Sequence, residues 1–163
     1  MGIAFTAAEV LEMAEKMERS GASFYRHAAK RFDNPYIRQL FTELVAWEEK
    51  HEEIFGGMRE RLAATDQQSG DLDSDEDLAA YLQAMKGLDV FGGKTDPTEE
   101  LSGNETMKDV LRKAIEKEKD SIVYYNALKA FVPTEADRKT VDDIVKEEMH
   151  HIRILNQSLE GLS

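Results

Sequence analysis

The feature that most constrains the fold is a set of acidic and histidine residues that repeats after 100 positions. Two Glu-x-x-His pairs occur at this separation, and a lone glutamate lies 30 residues before each pair. The six residues are Glu18, Glu48, His51, Glu118, Glu148 and His151. Because residues i and i+3 of a helix share one face, each pair can offer a carboxylate and an imidazole to one metal ion. The spacing therefore predicts a two-metal carboxylate site inside a bundle of four helices.

Apolar residues at helical spacing predict the four long helices themselves. Thr6 with Glu9 forms a capping box before the first helix, and Asn34 with Pro35 provides the N-cap and first residue of the second. The predicted helical hairpins cover about 7–63 and 105–160, and their first helices span about 7–31 and 105–131. The stripe of the second helix reads Ile37, Phe41, Leu44, Glu48, His51, Phe55, Met58, Leu62. Charged or titratable residues thus interrupt an apolar seam in its middle.

The energetic cost of this arrangement supports a metal site. An ionised carboxylate in an apolar core costs several kcal/mol unless it is paired or binds a cation. Four glutamates share one level of the predicted bundle, and no basic residue lies on the same stripes. Two divalent cations would balance their four negative charges, with both histidines neutral.

The connection between the two hairpins predicts the topology. About 40 residues, 65–104, separate the second and third long helices, which is enough to run the length of the bundle and return. This favours a crossover that leaves those two helices parallel. Within it, Ser74 and Asp77 predict the start of a short extra helix that runs through Met85. We expect one all-α domain over residues 1–163, with the two hairpins related by a pseudo-twofold axis.

An acidic stretch at 66–77 carries six acids and no base, and we interpret it as a solvated loop. Asp71, Asp73 and Asp75 resemble the start of a calcium loop. Glu76, however, stands where such a loop needs its turn glycine. We therefore predict no calcium site here.

Composition excludes several classes of function. The chain has 21 basic and 33 acidic residues, a formal charge of -12, which argues against binding to nucleic acid or anionic membranes. It contains no cysteine, so disulfides and thiolate-ligated metals, including iron-sulfur and rubredoxin-type centres, are excluded. The sequence also lacks a secretory signal and a long apolar run. We expect a cytoplasmic protein.

Other titratable and aromatic residues have simpler interpretations. Tyr25 and Tyr125 each lie seven residues after a lone glutamate. They either hydrogen-bond to a ligand carboxylate or donate protons and electrons at the site, or they are packed aromatics with their hydroxyls near solvent. His27 is interpreted as structural or exposed, and His150 as a neighbour of the site. Seven glutamates are interpreted as surface charge: Glu12, Glu15, Glu49, Glu52, Glu53, Glu116 and Glu147.

Taken together, these motifs resemble the ferritin-like superfamily and, within it, the rubrerythrin-like branch. The resemblance rests on Met17-Glu18 with Phe24-Tyr25, Trp47-Glu48-Glu49-Lys50-His51, Glu118 with Tyr124-Tyr125, and Glu147-Glu148-Met149-His150-His151. It implies a ferritin-like four-helix bundle with two iron ions that react with hydrogen peroxide or dioxygen, often in a homodimer.

Two departures from the family pattern refine this expectation. Rubrerythrins have a cysteine-rich rubredoxin domain, which this cysteine-free chain lacks, so an external electron donor is needed. They also carry an extra carboxylate where this chain has Ser121, so the predicted ligand set is more similar to the symmetric centre of bacterioferritins. Two alternatives stay open: an iron-storage ferroxidase in a larger assembly, and a non-catalytic helical module for dimerisation or partner binding. Manganese or zinc could replace iron.

Overall fold

The structure is a computed structural model that describes residues 6–64, 76–87 and 101–162. These residues form five helices and no strand. The helices are α1 (Ala7–Arg31), α2 (Pro35–Ala64), α3 (Glu76–Gly87), α4 (Met107–Leu128) and α5 (Glu135–Gly161). The prediction of an all-helical protein with a short extra helix between two hairpins is therefore confirmed.

Side-chain caps explain where the hairpins begin. Thr6 accepts a hydrogen bond from the Glu9 N–H at 3.1 Å, while the Glu9 carboxylate accepts one from the Thr6 N–H at 2.9 Å. The same capping box recurs at Thr106 and Asp109. Each box satisfies backbone N–H groups that the first helical turn leaves unpaired. The 100-residue repeat therefore includes the signals that start α1 and α4.

The start of α4 differs from the prediction by two residues. Glu105 precedes the helix, and its carboxylate accepts hydrogen bonds from the Ser102 N–H at 2.8 Å and the Gly103 N–H at 3.1 Å. Gly103 has a positive φ of 93°, which a residue without a Cβ adopts at little cost. Glu105 thus stabilises the turn before the helix.

Contacts between α1 and α4 establish the direction of the helices. Tyr25, late in α1, contacts Glu118 in α4, whereas Val10, early in α1, contacts Tyr124 near the end of α4. The two helices are therefore antiparallel. Because short connections at 32–34 and 129–134 make each hairpin antiparallel as well, α2 and α4 run in the same direction. This confirms the predicted crossover topology.

Two apolar clusters fill the bundle, one on each side of the titratable layer. One contains Phe55 and Tyr125, and the short helix α3 packs against it through Leu82. The other contains Phe24 and Phe41. All eight residues of the stripe predicted for the second helix are buried. The titratable residues therefore lie in the interior, as their positions on the stripes predicted.

The position of Glu15 differs from the one expected from the sequence. It was expected as surface charge, but it is only 7% exposed, and Arg59 Nε donates to its Oε2 at 2.5 Å. Gly56 explains the burial, because a Cβ at that position would lie 3.0 Å from Glu15 Oε1. The absent side chain leaves room for the carboxylate against α2.

Some expectations fall beyond the described residues. Ser74 and the three aspartates of the rejected calcium loop lie outside them. That residues 1–163 form a single domain stays a prediction. Among the described helices, none combines the length and apolar character needed to cross a bilayer.

Candidate metal centre

The structure brings the six predicted ligands together in one buried layer. None of them is more than 5% exposed. They form two overlapping groups whose ligand atoms lie within 4.8 Å of one another. One group is Glu18, Glu48, His51 and Glu148, and the other is Glu48, Glu118, Glu148 and His151. Each histidine thus shares a group with one lone glutamate, while the glutamates of the two Glu-x-x-His pairs belong to both groups.

Several oxygen and nitrogen atoms in this layer that could bind a metal ion have no hydrogen-bond partner among the described residues. They are Glu18 Oε2, Glu48 Oε1, Glu148 Oε1 and His51 Nδ1. His51 Nδ1 and Glu148 Oε1 lie 2.8 Å apart, yet they are not aligned as a hydrogen bond. Unpaired buried carboxylate atoms are costly unless a cation binds them. Carboxylate oxygens and imidazole nitrogens in this number suit iron, manganese or zinc, so the residues fit a two-metal centre.

The electrostatics of the protein alone show why a cation is favourable here. Burial, and then the charges of neighbouring glutamates, raise the pKa of Glu48 and Glu148 well above their usual range. For His51, burial alone would lower the pKa, but contacts with Glu148 and Glu18 raise it to about 10. The layer therefore holds protons when it holds no metal. Metal ions would replace those protons.

Two tyrosines donate hydrogen bonds to the lone glutamates in a crossed pattern. Tyr25 on α1 donates to Glu118 Oε1 on α4 at 2.5 Å, and Tyr125 on α4 donates to Glu18 Oε1 on α1. Each tyrosine thus contacts the lone glutamate of the other helix. Burial raises the pKa of both hydroxyls well above the usual value, so they remain donors. Of the two sequence interpretations, the structure supports the hydrogen bond to a predicted ligand.

Gly21 is a site residue whose role the sequence did not reveal. A Cβ at Gly21 would lie 2.2 Å from Glu48 Oε2. Any larger residue would therefore displace the Glu48 carboxylate. The available signal was a glycine inside a helix on the buried stripe, where it costs helix stability and needs a packing reason.

The position of Glu147 also differs from the one expected from the sequence. It was expected as surface charge, but its Oε2 lies 2.7 Å from His51 Nε2, and its side chain is 33% exposed. An ionised carboxylate only accepts hydrogen bonds, so Nε2–H donates to Glu147, and Nδ1 is the ring nitrogen that faces the layer. Spacing within one helix could not reveal this contact, because it joins α5 to α2.

The remaining candidates lie outside the buried layer. His27 Nδ1 contacts the Ser23 carbonyl at 2.7 Å, in agreement with a structural role. His150 is exposed and contacts Arg153. Trp47 is partly exposed, with its ring 6.1 Å from that of His51 and 5.7 Å from that of His151.

A small cavity reaches the layer between α1 and α4. Its volume is about 50 Å³, and its lining includes Ser20, Gly21, Glu48, Glu118 and Ser121. A space of this size holds one or two water-sized molecules. The cavity therefore offers room beside the layer for a molecule of about that size.

Comparison with known proteins agrees with this geometry. The family model of rubrerythrin matches residues 9–159. A solved structure from Thermotoga maritima, assigned as a ferritin-like diiron-carboxylate protein, is similar with a TM-score of 0.71 and 30% identity, covering 98% of this chain and 97% of that one. No curated protein matches the chain. Since the family match spans both hairpins and all six residues of the buried layer, the chain belongs to the rubrerythrin family.

Proposed function

We propose that this protein is a di-iron carboxylate oxidoreductase that reduces hydrogen peroxide or dioxygen. The observation that carries the proposal is the buried layer of four glutamates and two histidines. Its potential ligand atoms lie close together, and several of them have no hydrogen-bond partner among the described residues. A helical module that only binds a partner has no need of such a layer, because unpaired buried charges destabilise it.

The two overlapping groups suggest how the residues would hold two iron ions. Glu18 with His51 would serve one ion, and Glu118 with His151 the other. The glutamates that belong to both groups, Glu48 and Glu148, would be within reach of either ion. When bound, two ferrous ions supply one electron each, which together are the two electrons that reduction of a peroxide O–O bond requires.

The protein's own residues would prepare the layer for this reaction. Tyr25 and Tyr125 each hold one oxygen of a lone glutamate, and their hydroxyls keep a proton beside the layer. Hydrogen peroxide needs two protons as well as two electrons to form two water molecules. The two apolar clusters exclude bulk water from either side, and the cavity beside Gly21 admits a molecule the size of peroxide or dioxygen.

The electrons that restore the reduced state would come from a separate donor. The chain contains no cysteine and hence no rubredoxin-type iron of its own. We propose a cytoplasmic homodimer as the working form. Light scattering tests this against the alternative of iron storage, because a dimer cannot enclose a mineral core whereas a hollow shell can.

Anaerobic loading with ferrous iron tests the function directly. We expect two iron ions per chain and the consumption of one hydrogen peroxide for every two ferrous ions oxidised. Glu48→Ala and His151→Ala should lose two-metal binding and fast oxidation. Glu49→Ala and His150→Ala are matched controls, since both residues are exposed neighbours of the ligands, and they should behave as wild type.

Two results would contradict the proposal. One is wild-type protein that binds fewer than two metal ions per chain. The other is peroxide consumption at the same rate by wild type and His151→Ala. A comparison of oxidation rates with peroxide and with air-saturated buffer would then identify the preferred oxidant.

A further inference from the structure

The pseudo-twofold symmetry of the metal centre is broken next to its two histidines. Shifting the sequence by 100 residues superposes all six ligands on one another, but it superposes Glu147 on Trp47. Glu147 contacts the histidine of the opposite half, His51, whereas the ring of Trp47 lies close to both histidines, 5.7 Å from the ring of His151 and 6.1 Å from that of His51. His51 thus has a carboxylate partner that the repeat does not provide for His151.

The partner of His51 is suited to strengthen it as a ligand. Its Nε2–H donates to Glu147 at 2.7 Å, and its Nδ1 is the ring nitrogen that faces Glu148 Oε1 and Glu18 Oε2, at 2.8 and 3.6 Å. A carboxylate in this position fixes the tautomer and orientation of an imidazole and raises its basicity. The orientation of the His51 ring, with Nδ1 as the nitrogen that a metal ion would bind after displacing its proton, is therefore set before any metal arrives.

His151 lacks an equivalent partner in the described part of the chain. Its Nδ1 faces the layer, 3.3 Å from Glu148 Oε2 and 3.7 Å from Glu118 Oε1. The nearby indole N–H of Trp47 is a hydrogen-bond donor only, so it cannot accept a hydrogen bond from the His151 ring as Glu147 does from His51. Trp47 therefore packs against the ring of His151 without orienting it by a charged hydrogen bond.

We propose that Glu147 is a positioning residue that makes the two metal positions unequal, so that the position served by His51 binds a divalent cation more tightly than the position served by His151. This inference rests on the proposed two-metal centre. It deepens that proposal because it assigns an order of filling, first at His51 and then at His151, to a ligand set that is symmetric in sequence.

Zinc titration of the metal-free protein tests the order without any redox reaction. Calorimetry with a competing chelator should resolve two steps for wild type. In Glu147→Ala the tighter step should weaken by about 10- to 100-fold, the usual effect of removing such a partner, and approach the weaker one. Glu147 is partly exposed, so we expect the variant to fold, and unchanged thermal unfolding of the metal-free protein would verify this. Glu49→Ala removes the same charge from an exposed neighbour of Glu48 and should leave both steps unchanged.

Combining Glu147→Ala with a variant of either histidine shows which metal position Glu147 affects. In His151→Ala the remaining step should be the tight one, and adding Glu147→Ala should weaken it by the full amount. In His51→Ala the remaining step should be the weak one, and Glu147→Ala should not change it. These readouts distinguish positioning of His51 from a general loss of negative charge.

The outcomes separate this inference from the proposed function. Two zinc steps that Glu147→Ala leaves unchanged, or that weaken equally in both single-histidine backgrounds, would overturn the unequal positions and leave the two-metal centre standing. Failure of wild-type protein to bind two metal ions would overturn both.

Discussion

Gly21 illustrates how one absent side chain maintains the centre. We expect Gly21→Ala to lower metal affinity by about 10-fold or more, because its Cβ would lie 2.2 Å from Glu48 Oε2 and displace that carboxylate. Gly57→Ala is the matched control, since the nearest atom to its Cβ, Arg61 Nη1, is 3.5 Å away. It should stabilise α2 by about 0.5–1 kcal/mol and leave metal binding unchanged. Thermal unfolding and metal titration measure both effects. Wild-type affinity in Gly21→Ala would contradict the expectation.

Comparing Phe variants of Tyr125 and its neighbour Tyr124 distinguishes a role of a buried hydroxyl in the reaction from its contribution to stability. Tyr125 donates to Glu18, whereas Tyr124 donates to the Val10 carbonyl at 2.8 Å. Tyr125→Phe leaves Glu18 Oε1 without this donor and should cost about 1–3 kcal/mol of stability in the metal-free protein. Tyr124→Phe removes a second hydrogen bond from a carbonyl inside helix α1 and should cost about 0.5–1.5 kcal/mol. Only Tyr125→Phe should also slow peroxide-driven iron oxidation, on the order of 100-fold, because it alone removes a proton donor from the layer. Equal oxidation rates in the two variants would assign Tyr125 a structural role only.

At the scale of the element, α4 depends on the carboxylate that precedes it. Hydrogen bonds, first of all from the Ser102 N–H, lower the pKa of Glu105 from 4.5 to about 2. Its ionised form therefore stabilises the fold above pH 4.5, and this contribution is lost as the pH falls towards 2. The difference in unfolding temperature between wild type and Glu105→Gln should shrink over the same range.

Glu116→Gln is the control for that experiment. Glu116 lies on the exposed face of α4 and pairs only with Lys119 among the contacts described, at 2.8 Å. Because an exposed ion pair contributes little to stability, the unfolding temperature of this variant should differ little from that of wild type at pH 6 or at pH 2.5. A constant effect of Glu105→Gln from pH 6 to pH 2.5 would show that its hydrogen bonds do not depend on ionisation.

At the scale of the whole molecule, the buried layer should make stability depend on pH in opposite ways with and without metal. The pKa values of Glu48 and Glu148 are raised above 4.5, so the metal-free fold loses stability as the pH rises beyond that value. The contribution of His51 is complete below 6.5 and is lost as the pH rises through about 10. Metal binding requires the deprotonated ligands and therefore strengthens with pH.

We expect the rise in unfolding temperature caused by Mn²⁺ to increase from pH 6 to pH 8, with proton release on binding in weakly buffered solution. His51→Ala should reduce both the metal-induced rise and the number of protons released. The same metal-induced rise at every pH would contradict the picture of a protonated layer.

The local rules in this chain were sufficient to predict the helices and the candidate ligands. The spacing of three between Glu48 and His51 places them on one helical face whatever the tertiary structure, and the cost of burying charge then indicates cations. The capping box of Thr6 and Glu9 and the 40-residue connection are likewise signals that one stretch of sequence carries by itself. These signals identified the buried layer and the crossover without knowledge of how the helices pack.

Contacts between helices were beyond the reach of such rules. Periodicity states which face of a helix is buried, but it does not state how far one helix is shifted along its neighbour or rotated against it. The pairing of Tyr25 with Glu118, the space that Gly21 leaves for Glu48, and the contact of Glu147 with His51 all depend on those offsets. The sequence by itself therefore determines a symmetric set of ligands. The unequal surroundings of the two histidines arise only when α2 and α5 pack against each other.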